Sequence, residues 1–229
     1  MDMISLLRKV PLFAELDQNE LASIAILASS IEVAKKNIVV HEFDPGDSMY
    51  VILDGEVKVS TYSADGREVV LALLGKGSFF GEMSLLDEEP RSATVTTMKD
   101  SRLAHIRRRD LVPLLMEQPS ITLKLLKEIA SRLRRTSRML ERISSMDVPH
   151  RLYAHIVDQC HRFGQPEANG RYGTILATHQ LLADQLSTSR ETISRAISAL
   201  KKDGILVQGE SRGRVSVDID ALEEMLEDF

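Results

Sequence analysis

Met49-Tyr50-Val51-Ile52-Leu53-Asp54-Gly55-Glu56-Val57-Lys58-Val59-Ser60 consists of two apolar, largely β-branched runs separated by an Asp-Gly pair. Asp-Gly tolerates the positive φ of a tight primed turn, so the segment reads as a β-hairpin. Val57 and Val59 alternate with Glu56, Lys58 and Ser60, which marks a strand with one wet face. Similar turn signals recur on either side: Asp44-Pro45-Gly46-Asp47, Asp65-Gly66 and Gly75-Lys76-Gly77 break further short runs between about Ile31 and Ile106. Such a series predicts antiparallel strands closed into a β-roll of the barrel or jelly-roll kind. No period of roughly 20 to 50 residues and no low-complexity tract interrupts it.

After Asp110 the spacing becomes helical. Leu126, Ile129, Leu133, Thr136, Leu140 and Ile143 follow one another at intervals of 3, 4, 3, 4 and 3, the a/d seam of a long helix. Lys124, Lys127, Arg132, Arg134, Arg135, Arg138 and Arg142 occupy the other faces, which leaves only a narrow stripe to bury. A narrow stripe suits a two-helix coiled coil, so a homodimer through this helix is expected over a seam closed within one chain. The helix should end near Met146-Asp147-Val148-Pro149, because proline restricts the residue before it. Beyond it the pattern predicts a helix from about Arg151 to Arg162, a loop from Gly164 to Gly173, two short helices and a hairpin between Gly204 and Val217. Asp220 should cap a last helix over Ala221 to Glu227. The expected class is α+β. Its parts are a β-roll domain over 1–118, a dimerisation helix over 119–147 and a helical, hairpin-bearing domain over 148–229.

At 229 residues the chain exceeds the usual single-domain size, and 43% hydrophobic against 28% charged residues excludes intrinsic disorder. The start Met1-Asp2-Met3-Ile4 and the lack of any long uncharged apolar stretch predict neither a signal peptide nor a membrane span, hence a cytoplasmic protein. Cys160 is the sole cysteine, which excludes an intramolecular disulfide and any cysteine-rich metal or iron-sulfur site within one chain. His41, His105, His150, His155, His161 and His179 do not gather at metal spacing, so no metal is expected. No nucleophile-base pattern or catalytic glycine motif accompanies the carboxylates, and no enzymatic activity is expected. A net charge of −5 means that nucleic-acid binding must use a local basic surface.

Two stretches carry chemistry. In the first, Phe79-Phe80-Gly81-Glu82-Met83-Ser84-Leu85-Leu86-Asp87-Glu88-Glu89-Pro90-Arg91-Ser92-Ala93-Thr94-Val95, a glycine leads into a short helical turn whose backbone N–H groups face an anion. Arg91, ten residues after Gly81, can fork onto the same phosphate. Glu82 beside an anion is unfavourable unless it accepts a hydrogen bond from the ligand, as from a ribose hydroxyl. Gly-Glu and Arg-Ser taken alone read more readily as a surface turn with a solvated ion pair. In the second stretch, Thr178 caps His179-Gln180-Leu181-Leu182-Ala183-Asp184-Gln185-Leu186, Ser187-Thr188 turns, and Ser189 opens a helix through Leu200. The core side of that helix is Ile193, Ala196, Ile197 and Leu200, which leaves Arg190, Glu191, Ser194 and Arg195 on other faces. An ordinary helical hairpin would show such a solvated face too.

Both strings together, over nearly the whole chain, resemble the bacterial Crp/Fnr family of transcription regulators, in particular its cyclic AMP receptor branch. The resemblance implies an N-terminal cyclic-nucleotide-binding β-roll, a dimerising helix and a C-terminal winged helix-turn-helix. It places Gly81, Glu82 and Met83 at the ribose and phosphate edge of a nucleotide cassette, with Glu82 on the 2′-hydroxyl and Arg91 and Ser92 on the cyclic phosphate. Thr136 and Ser137 would meet the adenine amino group, one residue from each subunit. Cyclic AMP is the implied allosteric ligand, and cyclic GMP, cyclic di-GMP or ligand-independent activity remain open. Double-stranded DNA is the implied partner, read as an inverted repeat of TGTGA-like half-sites. Arg190 and Arg195 suit guanine, and Glu191 suits a C·G pair. Thr178, Ser189, Lys201, Lys202, Arg212 and Arg214 are candidates for phosphate contacts.

Relatives touch RNA polymerase through the loop that corresponds to Gly164–Gly170; the sequence differs there, which leaves that partner open. Ala221 to Phe229 extends past the usual end of the branch and receives no role. A rival reading is a nucleotide-sensing module that acts on a protein partner; DNA binding in a gel shift separates the two.

Overall fold

A computed structural model of the chain describes residues 3–14, 16–63, 66–167, 170–209 and 213–227. Its architecture is α+β, with antiparallel sheets, one long helix and a C-terminal helix-turn-helix. The chain divides into two compact units, residues 1–134 and 135–229.

The first unit opens with α1 (Met3–Leu7), a 3-10 turn at Pro11–Phe13 and α2 (Gln18–Leu27). A capping box starts α2: Asp17 accepts from the Asn19 and Glu20 N–H groups while Glu20 accepts from the Asp17 N–H. There follow β1 (Ser29–Val33), β2 (Ile38–Val40), β3 (Ser48–Asp54), β4 (Glu56–Tyr62), β5 (Glu68–Gly75), β6 (Phe79–Phe80), α3 (Glu82–Asp87), β7 (Thr94–Thr97), β8 (Ser101–Arg107) and α4 (Arg108–Glu117). The long helix α5 spans Pro119–Ser145, and the division between the units falls inside it.

The strands are where the sequence puts them, but the hairpin is not. β3 lies in one sheet, ordered β1-β8-β3-β6, and β4 in the other, ordered β2-β7-β4-β5. β3 pairs with β8 and β6, whereas β4 pairs with β5 and β7. Burial explains the correction. Met49, Val51 and Leu53 pack with the helices, while Ile52 and Tyr50 pack inside the roll with Val57, Phe80, Val95 and Leu103. β3 is thus apolar on both faces, one packed on the helices and the other inside the roll. Gly55, at φ 101°, turns the chain from one sheet to the other, and a Cβ there would lie 2.2 Å from Ser101 Oγ. The true hairpin is β4–β5; of its expected turn, Gly66 has φ 79° and Asp65 lies outside the described residues.

In the second unit α5 ends at Ser145, and Asp147 caps α6 (Val148–Phe163) by accepting from the His150 N–H at 3.0 Å. Capping by that N–H, ahead of all other causes, holds the Asp147 carboxyl below its ordinary range. Next come β9 (Gln165–Pro166), β10 (Tyr172–Ile175), α7 (His179–Gln185), α8 (Arg190–Lys202), β11 (Leu206–Gln208), β12 (Arg214–Val217) and α9 (Ile219–Glu227). The sheet order is β11-β12-β10-β9. Part of the segment read as a loop from Gly164 to Gly173 therefore supplies strands that widen the expected hairpin; Ala168 and Asn169 lie outside the described residues. Asp218, not Asp220, caps α9, accepting from the Ala221 N–H at 3.2 Å. Phe229 of the C-terminal extension lies outside the described residues. Leu152, Ile156, Leu182, Ile193, Leu200, Val217 and Leu222 are fully or nearly fully buried together. Cys160 joins that core, and burial pushes its thiol up to about 11, which keeps it protonated at neutral pH.

Candidate nucleotide cassette and DNA-reading helix

Gly81 stands between β6 and α3 in the left-handed region, at φ 80°. A Cβ there would lie 2.6 Å from Arg91 Nη1, so glycine is required both by conformation and by space. Arg91 is only 5% exposed. Its Nη1 donates to the Gly81 carbonyl at 2.9 Å and its Nη2 to the Ser48 hydroxyl at 3.1 Å. Both acceptors are neutral, and among the described residues no carboxylate pairs with Arg91. A buried guanidinium held by dipoles and lacking a counter-ion is prepared for an anion. Ser92 is exposed and donates to Met83 Sδ at 3.7 Å, which brings the last two expected cassette residues together. Ser48 escaped the sequence reading because it precedes Arg91 by 43 residues in another strand.

Glu82 is 5% exposed and has a partner that the sequence reading spent on the solvent side of α5. Arg132 Nη1 donates to Glu82 Oε1 at 2.9 Å, its Nη2 donates to the Phe79 carbonyl at 2.7 Å, and the guanidinium lies 4.3 Å from the Phe79 ring centroid. Its Nε donates to Glu128, four residues earlier, at 3.3 Å. Burial raises the Glu82 carboxyl above its ordinary range, and Arg132 is the largest opposing influence. Arg132 is thus no surface decoration; it ties the Glu82 carboxylate to the long helix. Sequence spacing carried no signal for this, since a basic residue between seam positions reads the same with or without a partner 50 residues away.

α5 carries two apolar stripes. Ile121, Leu125 and Ile129 pack into the core of the first unit. The remaining seam residues stay uncovered: Leu126 is 56%, Leu133 66% and Leu140 67% exposed, and Thr136 and Ser137 are exposed as well. Thr136 and Ser137 therefore stand on open helix surface. Arg142 departs from the solvated reading too, forking onto Asp158 of α6 at 2.8 and 3.4 Å.

In the second unit Thr178 accepts from the Leu181 N–H at 3.3 Å and Ser189 from the Thr192 N–H at 3.1 Å, so each caps the helix after it. Ala183 is fully buried and Ser187 turns through φ 52°, which sets α7 closely before α8. Ile193, Ile197 and Leu200 face the core, while Arg190, Glu191 and Arg195 stand exposed and Ser194 is half-buried. Arg195 makes one long contact, 3.4 Å to Thr192 Oγ1. Lys201 and Lys202 are exposed on the last turn. Arg214 lies 3.7 Å from Glu167, a partner that competes with any phosphate; Arg212 lies outside the described residues. An exposed Arg-Glu-Arg set on a capped helix, with its other side fixed in a core, can enter a major groove without refolding. Among the described residues no cluster of His, Cys, Asp or Glu is placed to hold a metal ion, and no helix is long and apolar enough to cross a membrane.

Residues 30–118 match the model of the cyclic nucleotide-binding domain, and residues 150–225 match the Crp-like helix-turn-helix domain. A CRP-like cAMP-activated global transcriptional regulator of Mycobacterium tuberculosis is 30% identical over 210 residues, covering 91% of this chain and 94% of that protein. The cyclic AMP receptor protein of Thermus thermophilus is 33% identical over 171 residues, covering 75% of this chain and 76% of its own. Among solved structures, the c-di-GMP-responsive global regulator CLP of Xanthomonas campestris superposes with a TM-score of 0.74 at 25% identity, covering 88% of this chain and 98% of that one.

Proposed function

Since this chain belongs to the CRP family of cyclic-nucleotide-responsive transcription regulators, we propose that its effector is cyclic AMP and that the filled homodimer binds an inverted-repeat DNA site. The observation that carries the nucleotide reading is Arg91, a buried cation that lacks a carboxylate partner among the described residues. In this reading Arg91 and Ser92 take the cyclic phosphate, with Gly81 and Met83 along the same edge, and Glu82, oriented by Arg132, accepts from the ribose 2′-hydroxyl. Nothing in the proposal requires the nucleotide to be turned over; the chain works as a sensor, not as an enzyme.

The uncovered Leu126, Leu133 and Leu140 repeat every seven residues, the spacing of one core position in a two-helix coiled coil. A second copy of α5 covers them. Thr136 follows Arg132 by four residues, a spacing that puts both on one helix face, and Thr136 with the partner subunit's Ser137 would then receive the base. A nucleotide that touches both helices favours one placement of the two subunits and so biases the DNA-binding units that follow them. There Arg190 and Arg195 read guanine and Glu191 reads cytosine of a TGTGA-like half-site, with Ser194 beside them. Thr178, Ser189, Lys201 and Lys202 hold phosphates. In this reading the chain works in the bacterial cytoplasm, where its duplex lies.

The test is a calorimetric titration of the whole protein with cyclic AMP, cyclic GMP and cyclic di-GMP. Cyclic AMP is expected to bind tightest, at one molecule per subunit. Tighter binding of cyclic di-GMP, the effector named for the Xanthomonas regulator, would replace the ligand and keep the mechanism. Binding of none would remove the nucleotide reading.

A further inference from the structure

α3, the helix that follows Gly81, has six residues, too few to hold itself together in water. Its C-terminal end is unusual: Glu88 caps it in the left-handed region at φ 64°, without the freedom of glycine. Both features ask for outside support, and one side chain supplies it. Arg108, the first residue of α4, donates through Nε to the Leu85 carbonyl at 2.9 Å and through Nη2 to the Glu88 carboxylate. It thereby occupies a carbonyl that the helix end would leave open and places positive charge at the negative end of the helix dipole. Its backbone N–H also donates to the Asp47 carbonyl at 2.6 Å.

These bonds lie directly behind the phosphate subsite. Asp47 precedes Ser48, whose hydroxyl accepts from Arg91. Arg91 is tied to the same loop by its backbone: its N–H donates to the Asp44 carbonyl and its carbonyl accepts from the Phe43 N–H. The opposite end of α3 begins after Gly81, whose carbonyl accepts from Arg91 Nη1. Loop 43–47, Arg91 and α3 therefore form one knitted frame, and Arg108 fastens that frame at two places to α4. Leu111, Leu114 and Leu115 of α4 share a core with Ile121 and Leu125 of α5.

We propose that Arg108 is a positioning residue for the phosphate subsite: its side chain fixes α3, while its backbone N–H holds the loop before Ser48 whatever the side chain, so that Arg91 is aimed at the ligand and linked through α4 to the long helix. This rests on reading Gly81–Ser92 as a nucleotide cassette. The ion pair with Glu88 contributes little as an attraction, because Arg108 is 36% and Glu88 71% exposed. What Arg108 supplies is geometry, since a guanidinium spans two acceptors at once and an ammonium does not.

The experiment compares the wild type, Arg108→Ala, Arg108→Lys and Glu88→Gln by calorimetry with cyclic AMP and by thermal unfolding without nucleotide. Arg108→Ala is expected to bind about tenfold more weakly, the scale for losing a supporting contact behind a binding group. Its unfolding midpoint should stay close to that of the wild type. Arg108→Lys should recover part of the affinity, and Glu88→Gln should show a smaller loss in the same direction. Affinity unchanged in Arg108→Ala would overturn the proposal and leave the cassette standing. A loss that lysine does not recover, accompanied by a lowered midpoint, would reassign Arg108 to folding and overturn it equally. A wild type that binds no cyclic AMP would remove the cassette reading and this proposal together.

Discussion

Arg91→Ala is expected to abolish cyclic-nucleotide binding while the protein stays folded. The substitution removes the one buried cation of the cassette and leaves the Gly81 carbonyl and the Ser48 hydroxyl without it. Truncating one partner of a desolvated, hydrogen-bonded charge pair costs about 2 to 5 kcal/mol, or roughly 30-fold to several thousand-fold in affinity. The effect on folding has the opposite balance. In the empty protein Arg91 is a cation without a carboxylate partner among the described residues, so its removal also relieves an uncompensated buried charge. Calorimetry with cyclic AMP and thermal unfolding without it check both halves. Unchanged affinity in a folded variant would take the phosphate away from Arg91 and with it the cassette assignment.

The second large effect belongs to the other end of the chain. Arg190→Ala should cost about 1 to 3 kcal/mol on the matching duplex and relax base preference at one position of each half-site. The helix itself should survive, because its cap is the Ser189 hydroxyl and its buried face is Ile193, Ile197 and Leu200. Arg190 is exposed, so nothing inside the unit depends on it. Fluorescence anisotropy on matched and random duplexes at one salt concentration measures the difference. An equal loss on both would mean that Arg190 contacts phosphate and does not read a base.

The legible parts of this protein are those whose signal is local. The cassette runs through consecutive residues, so Gly81, Glu82, Met83, Arg91 and Ser92 could be named from the string, and the structure joins Arg91 to Gly81 and Ser92 to Met83. The reading helix was equally visible, since caps at Thr178 and Ser189 and the buried spacing of α8 are short-range features. What escaped was contact between distant segments. Ser48 and Arg132 serve the same site from another strand and another helix, and neither residue type advertises a partner at such separation. The Asp54-Gly55 turn misled for a related reason. A tight-turn dipeptide reports that the chain bends, whereas the choice of partner strand depends on which faces are buried, and β3 is buried on both. The N-terminal helices α1 and α2 were not read at all, and the cap of the last helix fell two residues away from Asp220, at Asp218. Neighbouring Asp residues offer the same chemistry, and only the backbone path selects between them. Along the α5 seam Ile129 turns inward to its own unit while Leu126, Leu133 and Leu140 stay uncovered.

In the proposed mechanism a small anion bound in the first unit, touching the long helix, decides how two DNA-binding units present themselves to one duplex. Its most direct test is the affinity of the full-length protein for an inverted-repeat duplex with TGTGA half-sites, measured by anisotropy at fixed salt with and without saturating cyclic AMP. Binding at least about tenfold tighter is expected in the presence of nucleotide, which corresponds to a coupling of roughly 1.4 kcal/mol or more. Equal affinity in the two conditions would contradict it.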